Sequence, residues 1–84
     1  MTTIAPNIRS IVDHDGAVIL DIKQDAMLRL NSTGAYVWQK LLDGKLVEEI
    51  VVELSAEMGV DPIVVDRDVR SFLDQLKSRH LMLE

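Results

Sequence analysis

The hydrophobic periodicity of the chain changes at Asn31, and this change divides the sequence into two parts. Before Asn31, short apolar runs alternate with polar residues, as expected of β-strands, whose successive side chains point to opposite faces. After Asn31, apolar residues recur three and four positions apart, the spacing of one face of an α-helix. The sequence therefore predicts strands followed by helices, which is the order of an α+β domain.

Three short strands are predicted before Asn31, over residues 8–13, 17–22 and 26–30. Asp15-Gly16 favours a tight hairpin between the first two, because both residues tolerate positive φ. The next turn, Lys23-Gln24-Asp25, lacks glycine, so we expect it to be longer or less regular. The segment from Met1 to Asn7 contains Pro6 and is expected to be a flexible arm. These elements form a three-stranded antiparallel sheet with one buried and one exposed face.

Three helices are predicted after the strands, beginning at Asn31, near Leu46 and at Asp61-Pro62. Asn31 or Ser32 caps the first helix, because its side-chain oxygen accepts from a free N–H of the first turn. Asp61 caps the third helix, and Pro62 suits its first position. Glycines follow the first two helices, so the connections are short and the helices form a compact three-helix bundle on one face of the sheet.

Length and composition limit the classes of protein to which the chain can belong. Its 84 residues are enough for a single domain with a modest core. There is no cysteine, so neither disulfides nor thiolate chemistry are expected. The sequence shows no signal-peptide pattern and no apolar run long enough to span a membrane. We therefore expect a cytoplasmic protein without a membrane partner.

Catalytic and metal-binding motifs find little support. The chain has no Gly-x-Ser-x-Gly elbow and no glycine-rich phosphate loop. His14 lies in a predicted turn and His80 at a helix end, where both are typical of ordinary structural positions. Asp13-His14-Asp15 contains ligand-type side chains, but adjacent side chains of a strand and a turn diverge. We expect no enzyme activity, no cofactor and no metal site.

A DNA-binding winged helix is the alternative function, because the last two predicted helices resemble a helix-turn-helix. Their charges argue against it. The third helix has as many acidic as basic side chains, the second carries four glutamates, and the net charge of the chain is −5. These charges would repel phosphates at least as much as they attract them, so we expect no nucleic-acid partner. A purely structural or oligomerising domain is a third possibility.

The third predicted strand, Ala26–Leu30, is the last of its sheet and has an open edge. Such an edge presents unpaired N–H and C=O groups that an extended peptide can satisfy. Main-chain pairing needs no particular side chains, which agrees with the lack of a catalytic motif. The same edge could pair with a second copy of the chain, so a homodimer is also open.

Four segments of the chain closely resemble the PqqD family, whose members are also described as precursor-peptide recognition elements. These segments are Asp15–Asp21, Leu30–Trp38, Val60–Pro62 and Asp68–Leu76. The run Leu-Asn-x-Thr-Gly-Ala-x-Val-Trp, followed by Asp-Val-x-x-Phe-Leu-x-x-Leu, is the most specific part. The resemblance extends from about Ile8 to Met82 and implies a winged-helix-like fold of three strands and three helices.

The resemblance also implies a function: non-catalytic binding of the leader segment of a ribosomally made precursor peptide, which is then presented to modifying or processing enzymes. In the family the leader adds as a fourth strand beside the third, in a groove bounded by the third helix. Carried onto this chain, the implied peptide-binding residues are Ala26, Met27, Leu28, Arg29, Leu30, Val64, Asp68, Phe72 and Gln75.

Two biosynthetic settings are implied by the resemblance. In quinone-cofactor biosynthesis the partner is a radical SAM enzyme, whereas in lasso-peptide biosynthesis the partners are a leader peptidase and a cyclase. The Asn-Ser-Thr-Gly-Ala stretch after the third strand favours the lasso type. Family members often have a glycine before the third strand and an aromatic residue within it, and this chain has Asp25 and Met27 there. The resemblance therefore leaves the leader sequence unspecified.

Overall fold

Residues 4–82 are described by the structure, a computed structural model in which three strands precede three helices. The elements are β1 (Ile8–Asp13), β2 (Gly16–Asp21), β3 (Ala26–Leu30), α1 (Ser32–Leu42), α2 (Val47–Met58) and α3 (Pro62–Ser78). The predicted α+β, winged-helix-like fold is confirmed. The bounds of β1 and β3 are those predicted, and β2 begins and ends one residue earlier.

The strands form an antiparallel sheet in the order β1-β2-β3. At the first hairpin, the Asp13 side chain accepts hydrogen bonds from the backbone N–H groups of Asp15 and Gly16, at 2.8 and 3.1 Å. Neither Asp15 nor Gly16 has positive φ, contrary to the prediction for this turn. Glycine is needed instead because a Cβ at position 16 would collide with the carbonyl oxygen of Leu30. Gly16 thus allows β2 to pack closely against the end of β3.

The second hairpin forms without glycine. The carboxylate of Asp21 is buried and accepts hydrogen bonds from the backbone N–H and the side-chain amide of Gln24, at 3.1 and 2.9 Å. Asp25 then adopts a left-handed conformation with φ of 53°, which aspartate tolerates better than most residues. Side-chain hydrogen bonding at Asp21 thus replaces the backbone freedom that a glycine would supply.

One face of the sheet is covered by α1, and we call this the inner face. Its central residues are Ala17 and Ile19 of β2, both buried, and α1 places Trp38 against them in the centre of the core. The apolar residues Val18, Leu20 and Ile22, which share a face by their spacing, lie on the opposite, outer face. The inner face is the buried one because the helices, which follow β3 in the chain, pack on that side.

The bundle is held together chiefly by the packing of α2 against α3. The buried stripe of α3 consists of Val65, Val69, Leu73 and Leu76, and Asp61 caps this helix by accepting from the N–H of Ile63 at 2.8 Å. Phe72 lies at the edge of this stripe and is only partly buried. The helices therefore follow the predicted pattern, with Phe72 left accessible beside the core.

A half-buried polar cluster links α1 to α2. The ammonium of Lys40 lies 3.3 Å from the Glu53 carboxylate and 5.3 Å from the centre of the Tyr36 ring. Its hydrogen bond to Glu53 raises the pKa of Lys40, and partial burial raises the pKa of the Tyr36 hydroxyl. Because the cluster lies between two helices, it orients α1 relative to α2.

The start of the described chain is paired with its end. Ile4 forms an isolated antiparallel bridge with Met82, and the N–H of Ala5 donates to the carbonyl of Leu81 at 3.0 Å. Residues 1–3 of the expected flexible arm lie outside the described residues. At Ile4 and Ala5, the prediction of a flexible arm is replaced by a backbone pairing with the segment after α3.

Candidate functional site

The register of the sheet determines which backbone groups of β3 are free. The N–H of Ile22 donates to the carbonyl of Asn7 at 3.1 Å, and these two residues are directly opposite. In an antiparallel pair, every second opposed pair exchanges hydrogen bonds, and both groups of a residue point to the same side. Ile22, Leu20 and Val18 therefore bond to β1. The residues that alternate with them, Ala17, Ile19 and Asp21, must bond to β3.

The partners of these three residues on β3 are Leu30, Leu28 and Ala26. The N–H and C=O groups of the two intervening residues, Met27 and Arg29, consequently point away from the sheet. No other strand among the described residues pairs with this side of β3. The edge of β3 thus offers two residues, each with one donor and one acceptor, to an added strand.

The side chains of β3 alternate between the two faces. Leu28 and Leu30 are partly buried on the inner face and pack against the core, whereas Met27 is 57% exposed on the outer face. The predicted site residues of β3 therefore act in two ways. Met27 and Arg29 present main-chain groups along the edge, and Leu28 and Leu30 form an apolar floor next to it.

The space beside β3 is bounded at one end by Arg79 and Leu81, which follow α3, whereas α3 itself packs mainly on α2. We call this space the β3–α3 groove. The four predicted residues of α3 share one helix face by their spacing: Val64, Asp68, Phe72 and Gln75. Val64, Asp68 and Gln75 are exposed and Phe72 is partly buried. Phe72 is therefore the main apolar contact that this helix offers to a ligand.

A cavity of about 210 Å³ lies between the three helices, and its lining reaches Leu30 of β3 through the neighbouring Asn31 and Gly34. Asp68 and Phe72 line it together with the inner residues Val65 and Val69. Its other lining residues come from α1 and the end of α2: Asn31, Thr33, Gly34, Val37, Leu54, Met58 and Val60. Val64 and Gln75 are not among the residues lining this cavity. The cavity is mostly apolar, and its polar lining residues are Asp68, Asn31 and Thr33.

Sequence reasoning missed the contribution of α1 and α2 to this cavity. Gly34 is the clearest example, because a Cβ there would lie only 3.3 Å from Cβ of Leu30. The missing side chain lets the first turn of α1 approach β3 and keeps the cavity open next to Leu30. The Thr-Gly-Ala motif contains this signal, but the close approach of Gly34 to β3 does not follow from the motif alone.

The opposite end of the groove is shallower. There Ala26, Met27 and Leu28 of β3 face Arg79 and Leu81, which follow α3. Arg79 was not predicted as a site residue, because it lies beyond the helix face that the spacing defined. The groove thus has a carboxylate, Asp68, near its deep end and a guanidinium, Arg79, near its shallow end.

Neither a membrane-spanning helix nor a metal-binding cluster is found within residues 4–82. Between residues 4 and 82, no helix is long and apolar enough to cross a bilayer. The same residues bring together no group of three or more His, Cys, Asp or Glu side chains that could hold a metal ion.

Comparison with known families places the chain. Residues 16–82 match the family model described as coenzyme PQQ synthesis protein D (PqqD). The chain belongs to the PqqD family. The match includes β2, β3 and all three helices, and hence every residue assigned to the groove. A comparison with curated protein sequences finds no match.

Two solved structures are similar to this chain over nearly their full length. One is TbiB1 in complex with the TbiA(beta) leader peptide, with a TM-score of 0.91 and 33% identity, covering 96% of this chain and 94% of that chain. The other is lasso peptide synthetase B1 complexed with the leader peptide, with a TM-score of 0.91 and 28% identity, covering 99% and 98%. Both neighbours are thus leader-peptide complexes.

The assignment of free groups on β3 predicts a pattern of amide exchange. In the free protein, we expect the N–H groups of Met27 and Arg29 to exchange with solvent much faster than those of Leu28 and Leu30, which donate to β2. Hydrogen–deuterium exchange followed residue by residue by NMR measures this directly. Protection of Met27 and Arg29 with rapid exchange at Leu28 would show that the register is wrong.

Proposed function

We propose that this PqqD-family chain binds the leader segment of a precursor peptide as a fourth strand beside β3. The observation that carries the proposal is the pair of free main-chain positions, Met27 and Arg29, next to an apolar groove. The two similar structures support it, because each is a complex with a leader peptide. The name of one of them, lasso peptide synthetase B1, favours the lasso type of leader over the quinone-cofactor type. Binding of this kind requires no catalysis by the chain.

The register of β3 specifies how a leader would be read. An antiparallel leader would exchange hydrogen bonds with Met27 and Arg29, and its residues opposite these two would point to the outer face. The residues between them would share the inner face with Leu28 and Leu30 and enter the groove. We therefore expect an alternating leader, with apolar residues at every second position along the paired segment.

The cavity beside Leu30 fits one large apolar side chain of the leader. An apolar protein cavity of about 150 Å³ accommodates benzene, so the larger cavity here has room for an aromatic or branched aliphatic group. Phe72 and Val69 would supply most of its contact surface. Asp68 and Asn31, at the polar part of the lining, would accept a hydrogen bond from a polar tip or from the leader backbone.

Proline substitution on the edge of β3 tests the pairing. Met27→Pro removes a donor that points to the leader and leaves the bonds between β2 and β3 in place, so we expect leader affinity to fall at least tenfold in a folded protein. The matched control is Ser10→Pro, which places proline on the other edge of the sheet. Calorimetric titration with the synthetic leader measures both affinities. Unchanged binding by folded Met27→Pro would contradict strand addition at β3.

Truncation of Phe72 tests the groove. We expect Phe72→Ala to weaken leader binding by about tenfold, equivalent to about 1.4 kcal/mol, because the side chain lies at the edge of the core where a ligand would cover it. Ile63→Ala is the control, since Ile63 is an apolar residue of α3 that is 78% exposed and does not line the cavity. Equal affinities of the two variants for the leader would exclude Phe72 from the site.

Presentation of the leader requires a second surface, and we propose the outer face of the sheet. Ile11, Ile22 and Met27 are 70%, 62% and 57% exposed there, and Leu20 lies between them. The exposed face of an antiparallel sheet is normally polar, and a cluster of apolar residues marks an interaction surface. A bound leader would extend this face with its own outward side chains. The enzyme that docks here would be a leader peptidase or cyclase in a lasso pathway, or a radical SAM enzyme in a quinone pathway.

A charge on the outer face tests this second surface. We expect Leu20→Glu to retain leader affinity but to slow processing of the precursor at least tenfold, because the carboxylate would be buried against the enzyme. The matched control is Val52→Glu, on the exposed side of α2. Both are compared in a reconstituted reaction with the precursor and the processing enzyme of the same gene cluster. Normal processing of the precursor in the presence of Leu20→Glu would show that the enzyme docks on another surface.

A DNA-binding role gains no support from the fold. In a winged helix the reading helix would be α3, whose exposed side carries Asp66, Asp68 and Asp74 beside its basic residues.

Homodimerisation through β3 would compete with the leader for Met27 and Arg29. The leader is therefore the occupant that we assign to this edge, and a second copy of the chain must use another.

A further inference from the structure

The sheet has a second open edge, on β1. Because Arg9, Ile11 and Asp13 exchange hydrogen bonds with β2, the main-chain groups of Ile8, Ser10 and Val12 point away from the sheet. Among residues 4–82, no strand pairs with this side of β1. The Ile8 carbonyl accepts from the side chain of Arg9, at 3.0 Å, which agrees with this direction. The strand has six residues and contains neither proline nor glycine.

The sequence of β1 is complementary to itself in an antiparallel register centred on Ile11. A twofold axis at Ile11 places Ile11 opposite Ile11 of the partner subunit, and Arg9 opposite Asp13 of the partner subunit, all on the outer face. The second oxygen of Asp13 makes no hydrogen bond in residues 4–82, since only its Oδ1 is used by the turn. This register therefore joins an exposed apolar residue with its counterpart and places opposite charges directly across from each other.

The same register satisfies the free main-chain groups. It places Ser10 opposite Val12 of the partner subunit, and both residues have groups that point outward from the edge. The two symmetry-related pairs would exchange four hydrogen bonds. A shift of the axis to Arg9 would instead place two guanidinium groups opposite each other, which is unfavourable. Backbone direction permits the register centred on Ile11, and the pairing of Arg9 with Asp13 of the partner subunit favours it.

The fold leaves room for this pairing. Because α1 packs mainly on β2, the α1 helices of the two copies would be separated by three strand spacings, about 14 Å. Packed helices require only about 8–10 Å between their axes. The edge of β3 and its groove lie at the far side of each copy and remain accessible.

We infer that two copies of the chain associate through β1, centred on Ile11, to form a continuous six-stranded sheet with a leader-binding edge at each end. The dimer is independent of the leader, because the two edges belong to different strands. It would hold two precursor peptides on one sheet and double the outer apolar face.

Cysteine cross-linking tests the axis. Directly opposed residues of a non-hydrogen-bonded antiparallel pair have Cα atoms about 4.5 Å apart, within the range of a disulfide. The natural chain has no cysteine, so a single introduced thiol reports on one position. We expect Ile11→Cys to form a disulfide-linked dimer under mild oxidation, whereas Ile22→Cys, equally exposed but far from the axis, stays largely monomeric. Equal cross-linking of the two variants would overturn the proposed register.

Light scattering with size-exclusion chromatography tests the dimer itself. We expect the natural chain and Met27→Pro to elute with twice the mass of one chain at high concentration, and Ser10→Pro to elute as a monomer that still binds the leader. A natural chain that is monomeric at every concentration would refute the dimer while leaving leader binding intact. A dimer that survives Ser10→Pro but is lost in Met27→Pro would place self-association on β3 instead.

Discussion

The alternation of main-chain hydrogen bonds along β2 is the constraint on which the remaining structure depends. This strand bonds to β1 through every second residue and to β3 through the others. The register of β2 therefore determines which main-chain groups of β1 and β3 are free. It also determines which side chains lie on each face of the sheet. On β3, the residues on either side of Met27 and Arg29 donate and accept hydrogen bonds with β2. The main-chain groups of Met27 and Arg29 therefore point away from the sheet and are available to a ligand.

The position of α3 converts an open edge into a site. A bare strand edge offers the same hydrogen bonds to any extended chain, and it favours aggregation as much as recognition. Here α3 packs on α2 and stops short of β3, so apolar side chains border the edge without covering it. Gly34 maintains the gap at the deep end. Specificity for a leader would therefore come from the groove, and affinity largely from the main chain.

Much of the fold could be predicted because it rests on local patterns. The change of period at Asn31, the cap at Asp61 and the bounds of β3 were each visible in a few adjacent residues. Reasoning from adjacent residues was wrong where a residue distant in sequence sets the requirement. Glycine is needed at position 16 because of the Leu30 carbonyl and not because of a positive φ. It was also incomplete at the cavity, since Val37 and Leu54 reach Phe72 only after the helices have packed.

The sequence by itself determined the order of elements, the acidic charge, and the motif by which the chain resembles the PqqD family. These are properties of composition and short-range spacing, and they do not depend on how elements meet. Only the tertiary structure decided which face of the sheet is buried, which groups of β3 and β1 are free, and where the groove deepens. Each of these depends on register and helix packing, because a shift of one residue exchanges the two faces of a strand and the two directions of its hydrogen bonds.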